Sequence, residues 1–164
     1  MTFALVLLTG AMLTLDQSPD IEPILISVSV ASAQGTAAIL LWLGTDVRQD
    51  GIWVSHAQGF TYAIDFSCTG FIPFIFLGVA IAFFPAAARR RLSGFLLSVP
   101  YVFGINQLRL VSLFYIGVEQ PEAFQFIHEV FWECLMVVFI AGFWMLWIRG
   151  TMKKRQYRTG ATEP

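Results

Sequence analysis

Three polar residues lie in or beside apolar stretches of this chain: Cys68, Arg109 and His128. A thiol becomes a nucleophile once it loses its proton, and an imidazole is suited to take that proton. A guanidinium can hold a carboxylate or steady a developing oxyanion. Together the three types suit attack of a thiolate on a carbonyl. Each alone has a plainer reading: a small buried hydrophobe for the cysteine, an amphipathic interfacial residue for the histidine, and a snorkelling group or helix clamp for the arginine. Cys134, flanked by apolar side chains, keeps the plainer reading, and His56 has no neighbour that supports a catalytic role. Two cysteines 66 positions apart form no Cys-x-x-Cys pair and no zinc spacing, so no metal or cofactor is expected.

What would bring the three together is a membrane. Of 164 residues, 57% are hydrophobic and only 13% charged, against about 45–50% and about 25% in soluble domains. The composition predicts an all-α polytopic membrane protein forming a single domain over 1–164. Five apolar stretches are candidate spans, at 2–15, 23–44, 69–85, 92–116 and 126–148, followed by a basic tail at 149–164. A spanning helix needs about 20 apolar residues. The second, fourth and fifth stretches meet that length and the third is at its short end. The first has 14 residues and no preceding Lys or Arg, so it lacks the basic start of a signal peptide. A short tilted span, leaving a count of five, or a late start, leaving four, would each account for it.

Basic residues set the expected orientation. Arg89, Arg90 and Arg91 form one cluster, and Arg149, Lys153, Lys154, Arg155 and Arg158 another. Both are expected to face the cytoplasm of a cell (inner) membrane, and one helical hairpin separates them. The loop 117–125, with Glu119 and Glu122 and no basic residue, then lies outside. The third span begins at the outer face, at Cys68. Asp16, Asp20 and Glu22 would sit on the cytoplasmic side, a mild objection because acidic residues weigh little in topology. Arg109 comes seven residues before Ile116, hence roughly 10 Å below the outer end. His128 opens the last span. The clusters that fix the topology exclude all three residues, yet they place Cys68, Arg109 and His128 at one depth.

Within the spans the only other charges beyond Leu92 are Glu129 and Glu133. Charge inside a span costs about 2.5–3.5 kcal/mol on insertion scales and marks a functional hypothesis by default. Asn106 shares the helical face of Arg109 and is placed to orient Arg109 or His128. Glu129 is placed to set the His128 tautomer, although adjacent helix positions point apart. The segment 46–67 has Asp50-Gly51 and Gln58-Gly59 as turn signals. It predicts a small hairpin of Ile52–Ser55 with Phe60–Phe66. In DFSCTG, Ser67 and Thr69 are candidate N-caps of a helix whose start would acidify the thiol. Gly70 would admit a substrate backbone, and Asp65 has no assigned part beyond the end of the hairpin.

Three ordered elements resemble the exosortase/archaeosortase family: Cys-x-Gly at Cys68–Gly70, Asn-x-x-Arg at Asn106–Arg109, and His128 at the start of the last span. The likeness runs from about Gly51 to Ile148 and matches the short, stand-alone forms. It implies a membrane-embedded cysteine protease or transpeptidase with Cys68 as nucleophile, His128 as base and Arg109 as third member. Such enzymes take proteins ending in a short motif, a transmembrane helix and a basic tail, and cut them at the outer face. The chief alternative is a non-catalytic membrane subunit or transporter in which Arg109, Glu129 and Glu133 form a structural or ion-relay network. That alternative expects Cys68 to be dispensable and Arg109 to pair with an acid. A disulfide-forming protein would need a second cysteine at the depth of Cys68, and Cys134 lies deeper. A rhomboid-like protease would need Gly-x-Ser-Gly, which is absent. The basic residues sit at helix ends with no interleaved recognition pattern, so no nucleic acid is expected.

Overall fold

The computed structural model describes residues 22–160, with side chains up to Met152; the stretch 2–15 lies outside them. Helix α1 (Glu22–Trp42) leads into three strands, β1 (Val47–Asp50), β2 (Trp53–His56) and β3 (Thr61–Ala63), and a 3-10 turn at Phe66–Thr69. Helices α2 (Phe71–Phe83), α3 (Ala88–Glu119) and α4 (Pro121–Phe126) follow, then a π turn at Ile127–Phe131 and helix α5 (Trp132–Gly160). The chain divides between Thr69 and Gly70 into two compact units.

In the N-terminal unit, α1 buries Ser29, Ser32, Ala33, Thr36, Ala37 and Leu40, a helical stripe that is small along most of its length. Small residues let backbones approach closely, and α1 packs on β1, β2 and the 3-10 turn. The Ser32 and Thr36 hydroxyls donate to the carbonyls of Val28 (3.0 Å) and Ser32 (2.9 Å), so their burial leaves no donor wasted. The sheet is antiparallel in the order β1-β2-β3. Asp50 pairs with Trp53 across a two-residue turn whose first central residue, Gly51, has φ 56°. That is a type II′ hairpin, which asks for glycine at this position. In the next connection the His56 N–H donates to the Phe60 carbonyl at 2.7 Å, and its Nδ1 accepts from the Gln58 N–H at 3.1 Å. His56 is turn scaffold.

The expected hairpin is therefore present as β2 and β3, shorter than predicted, with an unforeseen strand at its edge. Three of the four β1 residues are polar and only Val47 is buried. The strand thus carries no apolar alternation for a sequence reading to find.

In the C-terminal unit the third expected span, 69–85, is shorter than predicted. Helix α2 has 13 residues, about 20 Å at 1.5 Å per residue, against about 30 Å of hydrocarbon. Gly70, in the left-handed region, starts it, and Phe84, held extended before Pro85, stops it. Glu22–Trp42, Ala88–Glu119 and Pro121–Met152 are the described segments long and apolar enough to cross a membrane. Helix α3 exceeds the expected 92–116, running through Arg89–Arg91 at its start and carrying Pro100 inside it.

Lipid is as apolar as leucine, so helices within it are held by fit and hydrogen bonds more than by hydrophobicity. Leu77, Ile81, Val102 and Trp147 form the centre of this unit, with Phe74, Tyr101 and Phe143 packed around them. The Tyr101 hydroxyl donates to the Phe139 carbonyl at 3.0 Å, tying α3 to α5. Phe84 meets Trp147 edge-on at 5.5 Å. Gly94 makes this approach possible, because a Cβ there would overlap the Trp147 indole. A ring wedged among Leu77, Ile81 and Phe84 has little room to yield. Gly94→Val is expected to destabilise the unit by about 1–3 kcal/mol, read as a lower melting midpoint in detergent. An unchanged midpoint would refute this packing account.

Candidate functional site

The cysteine sits on a turn built by hydrogen bonds. Asp65 immediately precedes Phe66–Thr69 and acts as its N-cap: the Cys68 N–H donates to the Asp65 carboxylate (3.2 Å) and carbonyl (3.1 Å). Ser67 Oγ donates to the same carboxylate at 2.6 Å and lies 3.8 Å from the Cys68 sulfur. Burial works against ionisation of Asp65, but the hydrogen bonds from Ser67 and Cys68 outweigh it and hold the carboxyl below its usual range. Thr69 Oγ1 donates to the Phe66 carbonyl at 2.7 Å. Cys68 is 8% exposed. Burial raises the Tyr62 phenol well above its ordinary value, and the charge of Cys68 adds in the same direction.

This corrects the expected caps. Neither Ser67 nor Thr69 caps the following helix, which begins at Phe71 with Gly70 as N-cap and no side-chain cap bond. The Cys68 N–H faces the Asp65 carboxylate, so the acidifying helix start is not at the thiol. Asp65 is the residue sequence reasoning missed. An acidic residue directly before a helical turn is the signal that could have found it.

In the C-terminal unit, α3 buries Asn106 and Arg109. Arg109 is 4% exposed. Its Nη2 donates to Glu133 Oε1 on α5 at 3.3 Å, and its buried Nε has no hydrogen-bond partner among the described residues. The Glu133 side chain is 65% exposed. Arg109 therefore neither snorkels nor is saturated by its acid. Asn106 lies against Gly70, where a Cβ would come within 3.0 Å of the Asn106 Cβ. The side of Gly70 expected to admit a substrate backbone is taken by Asn106.

His128 is half-buried within the π turn, its ring stacked on Phe124 at 5.8 Å and 4° between planes. Residues five apart on an α-helix stand about 140° apart around its axis. An i→i+5 turn draws His128 and Glu133 toward one face, and such turns recur at functional sites. Glu129 accepts from Gln125 Nε2 at 3.1 Å, so the expected Arg109–Glu129–Glu133 network reduces to the Arg109–Glu133 pair. Cys134 is exposed on α5, not buried as expected. Among the described residues no group of His, Cys, Asp and Glu could hold a metal ion.

Gly70 has φ 75° as well as the Asn106 contact. A Cβ in the left-handed region costs about 1–2 kcal/mol, and crowding adds to it. Gly70→Ala is expected to lower the melting midpoint of the purified protein, whereas a neutral result would show that Asn106 can withdraw and the backbone relax.

The model of transmembrane exosortases matches residues 1–152. No curated protein and no solved structure matches the chain. Because that match spans most of the chain, the chain belongs to the transmembrane exosortase family, a family of cysteine-type transpeptidases.

Proposed function

We propose that this protein is a membrane-embedded cysteine protease or transpeptidase that cleaves C-terminal sorting signals of exported proteins at the outer face of the cell membrane. Its substrates would end in a short motif, a transmembrane helix and a basic tail. Cys68 serves as nucleophile, His128 as general base and Arg109 as oxyanion or carboxylate holder. The observation that carries this reading is Arg109: a guanidinium buried in a span-length helix, with a donor to spare after its acid is satisfied. Family membership supplies the cysteine-type chemistry.

In that chemistry the Cys68 proton passes to the His128 imidazole while sulfur bonds to the scissile carbonyl carbon. The developing oxyanion is met by Arg109. As the C–N bond breaks, the imidazolium returns the proton to the leaving amine, leaving a thioester on Cys68. Water or an acceptor nucleophile then attacks the thioester and frees the thiol. On the expected orientation this takes place on the extracytoplasmic side, with the C-terminus in the cytoplasm.

The Arg109–Glu133 pair also favours the second reading, a non-catalytic subunit or transporter, which expects Arg109 to meet an acid. One experiment separates them. In cells carrying a candidate sorting-signal protein, Cys68→Ala and Cys68→Ser are expected to abolish its processing, and His128→Ala to slow it by about 10²–10⁴-fold. Processing that continues unchanged in Cys68→Ala would leave the second reading standing.

A further inference from the structure

We infer that Asp65 is a positioning residue for Cys68, holding its side chain as an un-ionised thiol in the resting protein. The inference rests on the reading of Cys68 as nucleophile and deepens it. Three contacts link the Asp65 carboxylate to this turn: it accepts from the Ser67 hydroxyl at 2.6 Å and from the Cys68 N–H at 3.2 Å, and the Cys68 thiol lies 3.8 Å from that same Ser67 Oγ, whose own proton is committed to Asp65. The first two fix the turn. The third gives the thiol proton an acceptor and makes its loss unfavourable, because a thiolate would then stand one hydroxyl away from a carboxylate.

Among the described residues of this unit, no cation is seen against the Asp65 carboxylate. Tyr62 on β3 is a half-buried neutral phenol. Helix α1, packed on the turn, has Glu22 in its first turn as its only titratable side chain. The cations of the sheet region are Arg48 on β1 and, when protonated, His56, whose Nδ1 accepts a hydrogen bond in the β2–β3 turn. The opposing pull would come from His128 and Arg109, the partners proposed above. A thiol guarded in this way waits for its base, and it resists idle alkylation and oxidation because thiolates, not thiols, react.

The test is the pH profile of Cys68 alkylation by iodoacetamide, measured by mass spectrometry on the full chain in detergent. A Cys134→Ala background removes the exposed second thiol. The expected midpoint lies above about 8.5, the ordinary cysteine value. Asp65→Asn, which keeps a hydrogen-bond acceptor and loses the charge, should lower the midpoint by about one unit. At pH 7.5 it should therefore raise the rate several-fold. Asp65→Glu should restore most of the original profile. A purely structural Asp65 would change the melting midpoint and leave the alkylation midpoint where it was, which would overturn the inference. So would an unsubstituted protein that titrates at or below about 8.5, a measurement that decides the matter even if Asp65→Asn fails to fold. Processing assayed in parallel keeps the two readings apart. An unshifted midpoint with Cys68-dependent processing overturns the Asp65 inference alone, and Cys68-independent processing overturns the enzyme reading whatever the midpoint does.

Discussion

A guanidinium within an apolar helix constrains everything packed around it. Arg109 is nearly inaccessible, and a charge at such a position costs several kcal/mol unless the fold supplies partners. The partner is Glu133, reached from a different helix, so α3 and α5 must lie side by side at this level. Removing one member of a buried pair costs more than the pair contributes, because it strands the other charge. Here the asymmetry is unusual: the base is buried and the acid is mostly exposed. Glu133 can therefore be drawn away at lower cost than Arg109 can be left alone. A link of that kind places the guanidinium without saturating it.

The two units solve the burial of polar groups in different ways. Around Cys68 the solution is dense local hydrogen bonding, with Asp65, Ser67 and Thr69 closing one short turn. In the helical unit the means are shape and sparse bonds: a glycine under an indole, a tyrosine hydroxyl on a carbonyl of the facing helix, the Arg109–Glu133 ion pair. The difference follows from the surroundings. A turn near the end of a span must satisfy its own backbone, whereas a helix has done so already and needs only neighbours that fit.

How much of this was legible in the sequence depended on whether a feature is local. The spans 92–116 and 126–148 were legible because apolar length is a property of the segment itself, and both fall within long helices. Cys68, Arg109 and His128 stood out as residues that apolar stretches rarely carry. The shortness of α2 was half-legible: Pro85 marks its end, but its start depends on the left-handed Gly70 lying over Asn106, which is 36 positions away. Strand β1 was hidden because its pairing, not its own pattern, makes it a strand. The π turn has no composition of its own that would mark it in the sequence. The caps at DFSCTG were assigned to the wrong element because, in the competition for the Ser67 and Thr69 hydroxyls, the Asp65 carboxylate and the Phe66 carbonyl win over the N–H groups at the start of α2.

That competition bears on how a nucleophile and an oxyanion donor should differ at rest. A donor meant for charge that exists only in the transition state does best if it is already oriented and incompletely occupied. Arg109 has this character, with its Nε lacking a hydrogen-bond partner among the described residues. A nucleophile exposed to oxidants between turnovers does best if it is fully engaged and uncharged until its base is aligned. Cys68, bonded through its N–H to the Asp65 carboxylate and with its thiol against the Ser67 hydroxyl held by that carboxylate, has the opposite character. The cost of holding Arg109 under-satisfied falls on the helix packing around it. On the proposed reading, the cost of releasing Cys68 would fall on the approach of substrate, while the backbone bonds of the turn remain. If the proposed roles hold, that division of labour keeps the oxyanion donor ready and leaves activation of the nucleophile to the substrate.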